Sequence, residues 1–345
     1  MISFFAPEHA LHAPATEFFR GERVPCFESP ARAEYVHAEL ARRGHEIRAP
    51  ALDSTALLAQ VHSARYLAFL RGAWDEWLAI DPANAARQPF PSVWPVRSLR
   101  SDVEPRDFIA RLGLYSMDNG TPLAAGTWAA AKAGADAAAS AVALVAAGQR
   151  GAFCATRPPG HHAGVDFMGG YCFVNNAAVA AQAFRSGGCA RVAVLDVDYH
   201  HGNGTQSIFY ARADVLFASV HGDPRTEYPF YLGHAGETGA GAGRGYNLNL
   251  PLAAGTSTAA WFAALDTACA RVAAHRADAL VVSLGLDAFE GDPISRFKLR
   301  SADFTRVGER IARLALPTVF VIEGGYACAE LGVNAVNAIE GFEQV

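Results

Sequence analysis

The sequence predicts an α/β fold, with a central parallel sheet of about eight strands carrying helices on both faces. Three observations predict it. Short apolar runs recur along the second half of the chain, helical patterns alternate with them, and polar clusters fall where the runs end. A strand covered on both faces reads as a continuous apolar run, whereas a strand with one wet face alternates. Alternation of such strands with helices implies right-handed crossovers and a parallel sheet.

Taken in order, residues 30–43 form the first helical stretch. The segment at about 81–126 then breaks the rhythm with Pro82, Pro89, Pro91, Pro95, Pro105 and Pro122. An irregular segment this long inside a compact domain is functional or disordered. Phe90 and Trp94 favour order, so it is expected to line an active site, a subunit interface or both. Residues 127–147 are rich in alanine but interrupted by Lys132, Gly134 and Asp136, which reads as a buried helix rather than a membrane span. Strands follow at 151–156, 192–197, 215–220, 279–284 and 317–322, with helices at 175–185, 257–275 and 301–314. There is no internal repeat, and one domain is expected over residues 1–345, with the proline-rich loop as an insertion.

Composition narrows the function. The chain is 51% hydrophobic with a net charge of −5 and shows no Lys/Arg run, which excludes nucleic acid as an expected partner. The six cysteines are scattered without a C-x-x-C pair and are expected to be reduced and buried. The start, MISFFAPEHALHAP, lacks a basic segment followed by a long apolar stretch. A cytoplasmic protein without membrane contact is expected.

In open α/β sheets, ligands bind beyond the carboxyl ends of the strands. The first of these strands leads to RPPGHH with His161 and His162, the second to DVDYHHGNG, and the third to His221. The strand at 279–284 leads to Asp287 and the last to EGGY with Tyr326. Asp198 and His200 are two apart in an extended chain and point to one face. With Asp287 from a neighbouring strand they make two carboxylates and an imidazole, a donor set that suits a catalytic Zn²⁺ with an open position. Asp196 lies on the same side, deeper in the strand, where a buried carboxylate needs a partner. It is expected to orient a histidine and, with Ser219 and Val220, to offer oxygens to a structural K⁺. Asp196 and Asn203 are the candidate partners for the two histidines. A histidine held by aspartate stays more basic than one held by asparagine, which separates an electrostatic partner from a general base. The glycines of EGGY permit close backbone approach, and the Tyr326 hydroxyl is placed to donate to an oxyanion.

The stretches RPPGHHA, GGYCFVNNAA, LDVDYHHGNGTQ, SLGLDAFEGDP and EGGY resemble the zinc-dependent histone deacetylase superfamily, class II-like, with its arginase/deacetylase fold. HALHAPATEFFRGERVPCFESPARAEYV and GTWAAA are similar to the bacterial acetylpolyamine amidohydrolase subgroup. The resemblance implies Asp198, His200 and Asp287 as ligands of one Zn²⁺ or Fe²⁺ per subunit. It implies His162 as general base and acid, His161 as its electrostatic partner and Tyr326 as the group that polarises the scissile carbonyl. Tyr171 and Tyr228 would wall the acyl tunnel, and Glu17 and Glu104 would place acidic groups near its mouth. The proline-rich loop would build a homodimer. Two features depart from the subgroup: its members carry an acidic residue near the position of Gly120, and residues 106–111 bring in Arg106 and Arg111.

The implied reaction is hydrolysis of N-acetylated diamines and polyamines to free amine and acetate. A deacetylase of acetyl-lysine in proteins would use the same residues and differ at the tunnel mouth. A two-manganese ureohydrolase needs more bridging carboxylates than the sequence offers, because Asn203 is the next polar side chain after His201. A non-catalytic sensor of acetylated amines would bind without turnover.

Overall fold

A computed structural model describes the backbone of residues 1–345 and every side chain except that of Cys328. Its elements in chain order begin with β1 (Ile2–Phe4), the hairpin strands β2 (Thr16–Phe19) and β3 (Glu22–Pro25), α1 (Ala31–Arg42) and β4 (Ile47–Arg48). Next come α2 (Thr55–Val61), α3 (Ala64–Ile80), α4 (Phe108–Leu114), α5 (Thr127–Ala146), β5 (Gly151–Cys154), α6 (Asn176–Ser186) and β6 (Val192–Asp196). The last are α7 (Asn203–Phe209), β7 (Val215–Gly222), β8 (Asn247–Leu252), α8 (Thr258–His275), β9 (Ala279–Leu284), α9 (Ser301–Ala312), β10 (Thr318–Ile322) and α10 (Cys328–Glu343).

Eight strands form one sheet in the order β4-β1-β5-β10-β9-β6-β7-β8. All of its pairings are parallel. The period of two divides each central strand between two cores. Val192 and Val194 of β6 face one layer, with Val281, Val319 and Val321 from its neighbours. Ala193 and Leu195 face the other, with Leu280, Val282 and Phe320. Both sides of β6, β9 and β10 are fully covered, so these strands contain almost no polar residue until they end.

Local chemistry sets the helix ends. Asn175, Ser257 and Ser63 accept N–H groups of the first turns of α6, α8 and α3. The alanine-rich α5 has the strongest helix formers and the smallest side chains, so it packs closely against β5 and α6. It is the one helix among the described residues long and apolar enough to cross a membrane, and 67% of that window is buried inside the protein.

Strands β1, β2, β3, β4 and β8 and helices α2, α3, α4, α7 and α10 escaped the expected pattern. Strand β8 alternates buried and half-exposed residues because it is an edge, so it lacks a continuous apolar run. Strands β1 and β4 are three and two residues long. The proline-rich segment holds α4 and a short 3₁₀ turn at Pro82–Ala86. It is anchored by the ring of Phe90 edge-on to Phe18 and by Trp77 stacked on Phe108.

Candidate active site

Neighbouring strands, not consecutive ones, build the site. In the sheet, β5, β10, β9 and β6 lie side by side. Their carboxyl ends bring together His161 and His162, Tyr326, Asp287, and the pair Asp198 and His200. These residues meet at the floor and walls of a cavity of ≈ 730 Å³, which exposes His162, His200, Tyr171, Tyr228 and Tyr326. A volume of this size suits a small ligand.

Ligand atoms of Asp198, His200 and Asp287 lie within 4.8 Å of one another. The His200 Nδ1 is 2.8 Å from Asp287 Oδ2 and 3.5 Å from Asp198 Oδ1. Both carboxylates are fully buried. Burial and the Asp198 charge push Asp287 up to about 7, the signature of two carboxylates crowded where water cannot separate them. A divalent cation relieves that repulsion, so the donor set fits one. Gly324 makes room for the cluster, because a Cβ there would stand 2.7 Å from Asp198 Oδ2 and 2.8 Å from Asp287 Oδ2. Its own N–H donates to Asp198 Oδ2 over 2.8 Å.

The two histidines are stacked obliquely, 4.0 Å between ring centroids, and their outer nitrogens meet different groups. His161 Nδ1 lies 3.0 Å from Asp196 Oδ2, and His162 Nδ1 lies 2.7 Å from Asn203 Oδ1. Burial opposes charge on His161, but the Asp198 and Asp196 carboxylates outweigh it and raise the imidazole to about 10. Burial pulls His162 well below its ordinary value, and the charges on His161 and His200 add to the pull. One ring is held cationic and the other neutral.

Tyr326 is buried beside the Tyr171 ring, edge-on at 5.5 Å, with the Arg32 guanidinium 4.8 Å from its centroid. Burial pushes the phenol well above its ordinary value, so the hydroxyl keeps its proton. Tyr228 stands edge-on to His162 at 5.0 Å and donates to Asp118 Oδ2 over 2.6 Å.

Asp196 pairs with Ser219 across β6 and β7, and Val220 follows on the same strand, all of them fully buried. Ser219 Oγ is also 2.8 Å from His221 Nδ1.

Two expected substrate contacts lie elsewhere within this chain. Glu17 is buried behind the wall rather than at the mouth. Its Oε1 accepts the Tyr171 hydroxyl at 2.8 Å and its Oε2 the Phe27 N–H at 3.1 Å. Glu104 accepts the Tyr115 hydroxyl at 2.7 Å and sits 3.8 Å from Arg111 Nη1, outside the cavity lining. Arg111 pairs closely with Glu76 and stands near Glu104, outside the cavity lining. The charged groups that do line the cavity are Asp118, Glu227 and Arg20. Asp118 lies two residues before Gly120; sequence reasoning misses it, and its one signal is its place in a loop expected to line an active site, a subunit interface or both.

The histone deacetylase domain model matches residues 26–342. The chain belongs to the histone deacetylase family. Within the family it is 51% identical to acetylpolyamine amidohydrolase 2 of Pseudomonas aeruginosa, covering 100% of this chain and 99% of that one. It is 46% identical to the acetylpolyamine amidohydrolase of Mycoplana ramosa, over 99% of each chain. The crystal structure of acetylpolyamine aminohydrolase from Burkholderia pseudomallei superposes with a TM-score of 0.93 at 41% identity, covering 99% of this chain and 98% of that one. The parallel eight-stranded fold is therefore that of the histone deacetylase family.

Proposed function

We propose that this chain is a metal-dependent amidohydrolase that deacetylates N-acetylated diamines and polyamines. The observation that carries the reading is the convergence on one cavity of a neutral histidine, a protonated tyrosine and a three-residue metal-ligand set. The full-length likeness to acetylpolyamine amidohydrolases supports the substrate class.

Asp198, His200 and Asp287 would hold the ion, with Zn²⁺ the expected occupant and Fe²⁺ an alternative. Lewis acidity toward the scissile carbonyl and toward water is the chemistry that such an ion supplies. The protein's own groups do the rest. The Asn203 oxygen requires the proton on His162 Nδ1, which leaves Nε2 as the base that accepts a proton from the attacking water. The same nitrogen then protonates the departing amine. Tyr326 donates its hydroxyl proton to the oxyanion that develops at the carbonyl. Asp196 helps hold a proton on His161, the electrostatic partner stacked against His162. Tyr171 and Tyr228 confine the acyl arm and exclude water. Asp118 and Glu227 give the cavity its negative groups, which favour a substrate with a distal ammonium.

Asp196, Ser219 and Val220 would contribute oxygens to a K⁺ that stiffens the strand end. A homodimer through the proline-rich loop accords with the exposed side chains of Val93, Val96, Leu99 and Val103. The direct test is acetate release from N-acetylputrescine by the metal-loaded protein, abolished in His162→Ala.

A further inference from the structure

Residues Glu323–Tyr326 belong to no helix or strand, yet the Tyr326 ring must be aimed at a carbonyl with the accuracy that oxyanion stabilisation demands. Two main-chain bonds hold the start of this segment, Glu323 N–H to the Leu284 carbonyl at 3.1 Å and Leu286 N–H to the Gly324 carbonyl at 2.8 Å, and side chains hold the rest. Arg32 donates to the Glu323 and Gly325 carbonyls at 2.5 and 2.6 Å. Asp198 accepts the Gly324 N–H. The last pin is Asp292, whose Oδ2 accepts the Tyr326 N–H at 2.7 Å. Its other oxygen, Oδ1, accepts the N–H of Ile294 at 3.0 Å. Ile294 lines the cavity, and Asp292 itself is 7% exposed. Gly325, with φ of +130°, lets the chain turn between the two glycines and Tyr326, so its own conformation does not fix the tyrosine.

We propose that Asp292 is a positioning residue for the oxyanion-stabilising Tyr326. Beyond the Leu286–Gly324 main-chain bond, its carboxylate ties Tyr326 itself to the loop after β9, which carries the proposed metal ligand Asp287 and the wall residue Ile294. Asp292 touches neither the reacting atoms nor the ion and acts through Tyr326. This inference rests on the deacetylase reading above.

A double-mutant cycle on N-acetylputrescine turnover separates this role from plain structural support. Asp292→Ala in the wild-type background is expected to lower kcat about 10- to 100-fold, as small misplacements of catalytic groups do. Metal content should stay at the wild-type level. In the Tyr326→Phe background the same change should move kcat by less than about twofold, because the hydroxyl it positions is already gone. Asp292→Asn keeps one acceptor oxygen for two N–H donors. It should retain most of the activity, and where Asp292→Ala does not fold, Asp292→Glu serves as the displaced-acceptor variant in the same cycle. Equal losses in both backgrounds, or loss of metal in step with activity, would overturn the assignment. Absence of turnover by the unmodified protein would instead overturn the deacetylase reading, and so the two failures are distinguishable.

Discussion

Asn203 Oδ1 sits 2.7 Å from His162 Nδ1, while the neighbouring His161 has a carboxylate in the equivalent place. That difference in partner adds to the Asp198 charge, which raises His161, and to the His161 and His200 charges, which lower His162. A neutral oxygen fixes the tautomer of His162 and favours the imidazolium less than a carboxylate would, so burial prevails and lowers the group.

Asn203→Asp should therefore raise the pKa of His162. A base with a higher pKa becomes protonated at higher pH, so the acid limb of the kcat profile should move to higher pH by about one unit. A pH profile of acetate release measures this directly. An unmoved limb would mean that another group sets it.

Tyr326→Phe removes the oxyanion donor and leaves the metal-ligand set intact. Turnover should fall by about 10²- to 10³-fold with little change in bound metal. Steady-state kinetics with metal analysis on the same sample gives the answer, and parallel losses of metal and rate would make Tyr326 structural.

Asp287→Ala should abolish both metal retention and activity, since two donors hold an ion far less well than three. Chelation of the unmodified protein should have the same effect, reversible on adding Zn²⁺. Full activity in a metal-free variant would remove the ion from the mechanism.

Stability should depend on pH through His62, which is outside the proposed metal-ligand set. Its Nδ1–H donates to the Gly164 carbonyl at 2.7 Å and its Nε2 accepts the Asn175 N–H at 3.0 Å. The second contact needs the neutral ring, and burial lowers the group from 6.5 to about 4. The folded value lies below the unfolded one, so the unfolded chain takes up the proton first as pH falls. Stability from this group is full above pH 6.5, is lost as pH drops from about 6.5 to about 4, and amounts to about 3 kcal/mol over that window. Urea unfolding at several pH values should show a shallower slope there for His62→Asn than for the unmodified protein. Equal slopes would show that His62 titrates normally.

The central strands were legible in the sequence because burial on both faces demands unbroken apolar runs. The proposed active residues were legible for the same reason: Asp198, His200, Asp287 and Tyr326 stand out as polar groups where such runs stop. The edge strands β4 and β8 and the three-residue β1 were not, since a half-wet or very short strand leaves no run to find. Neither was the reach of Glu17 and Glu104. Where a long side chain points depends on its tertiary partners, and here Tyr171 and Tyr115 claim the two carboxylates. Asp118 shows the converse, since only the fold brings its loop against Tyr228 and the cavity. Asp292 was printed within the EGDP stretch, but its contact with Tyr326 spans 34 residues and exists only once β9 and β10 pair.

The most direct measurement is kcat/KM of the Zn²⁺-loaded protein on N-acetylputrescine and on an acetyl-lysine peptide under one set of conditions. Preference for N-acetylputrescine by about tenfold or more is the predicted result, because the cavity is small and bears Asp118 and Glu227 toward a distal ammonium. Preference for the peptide would keep the chemistry and contradict the substrate class, and no turnover of either would contradict the account as a whole.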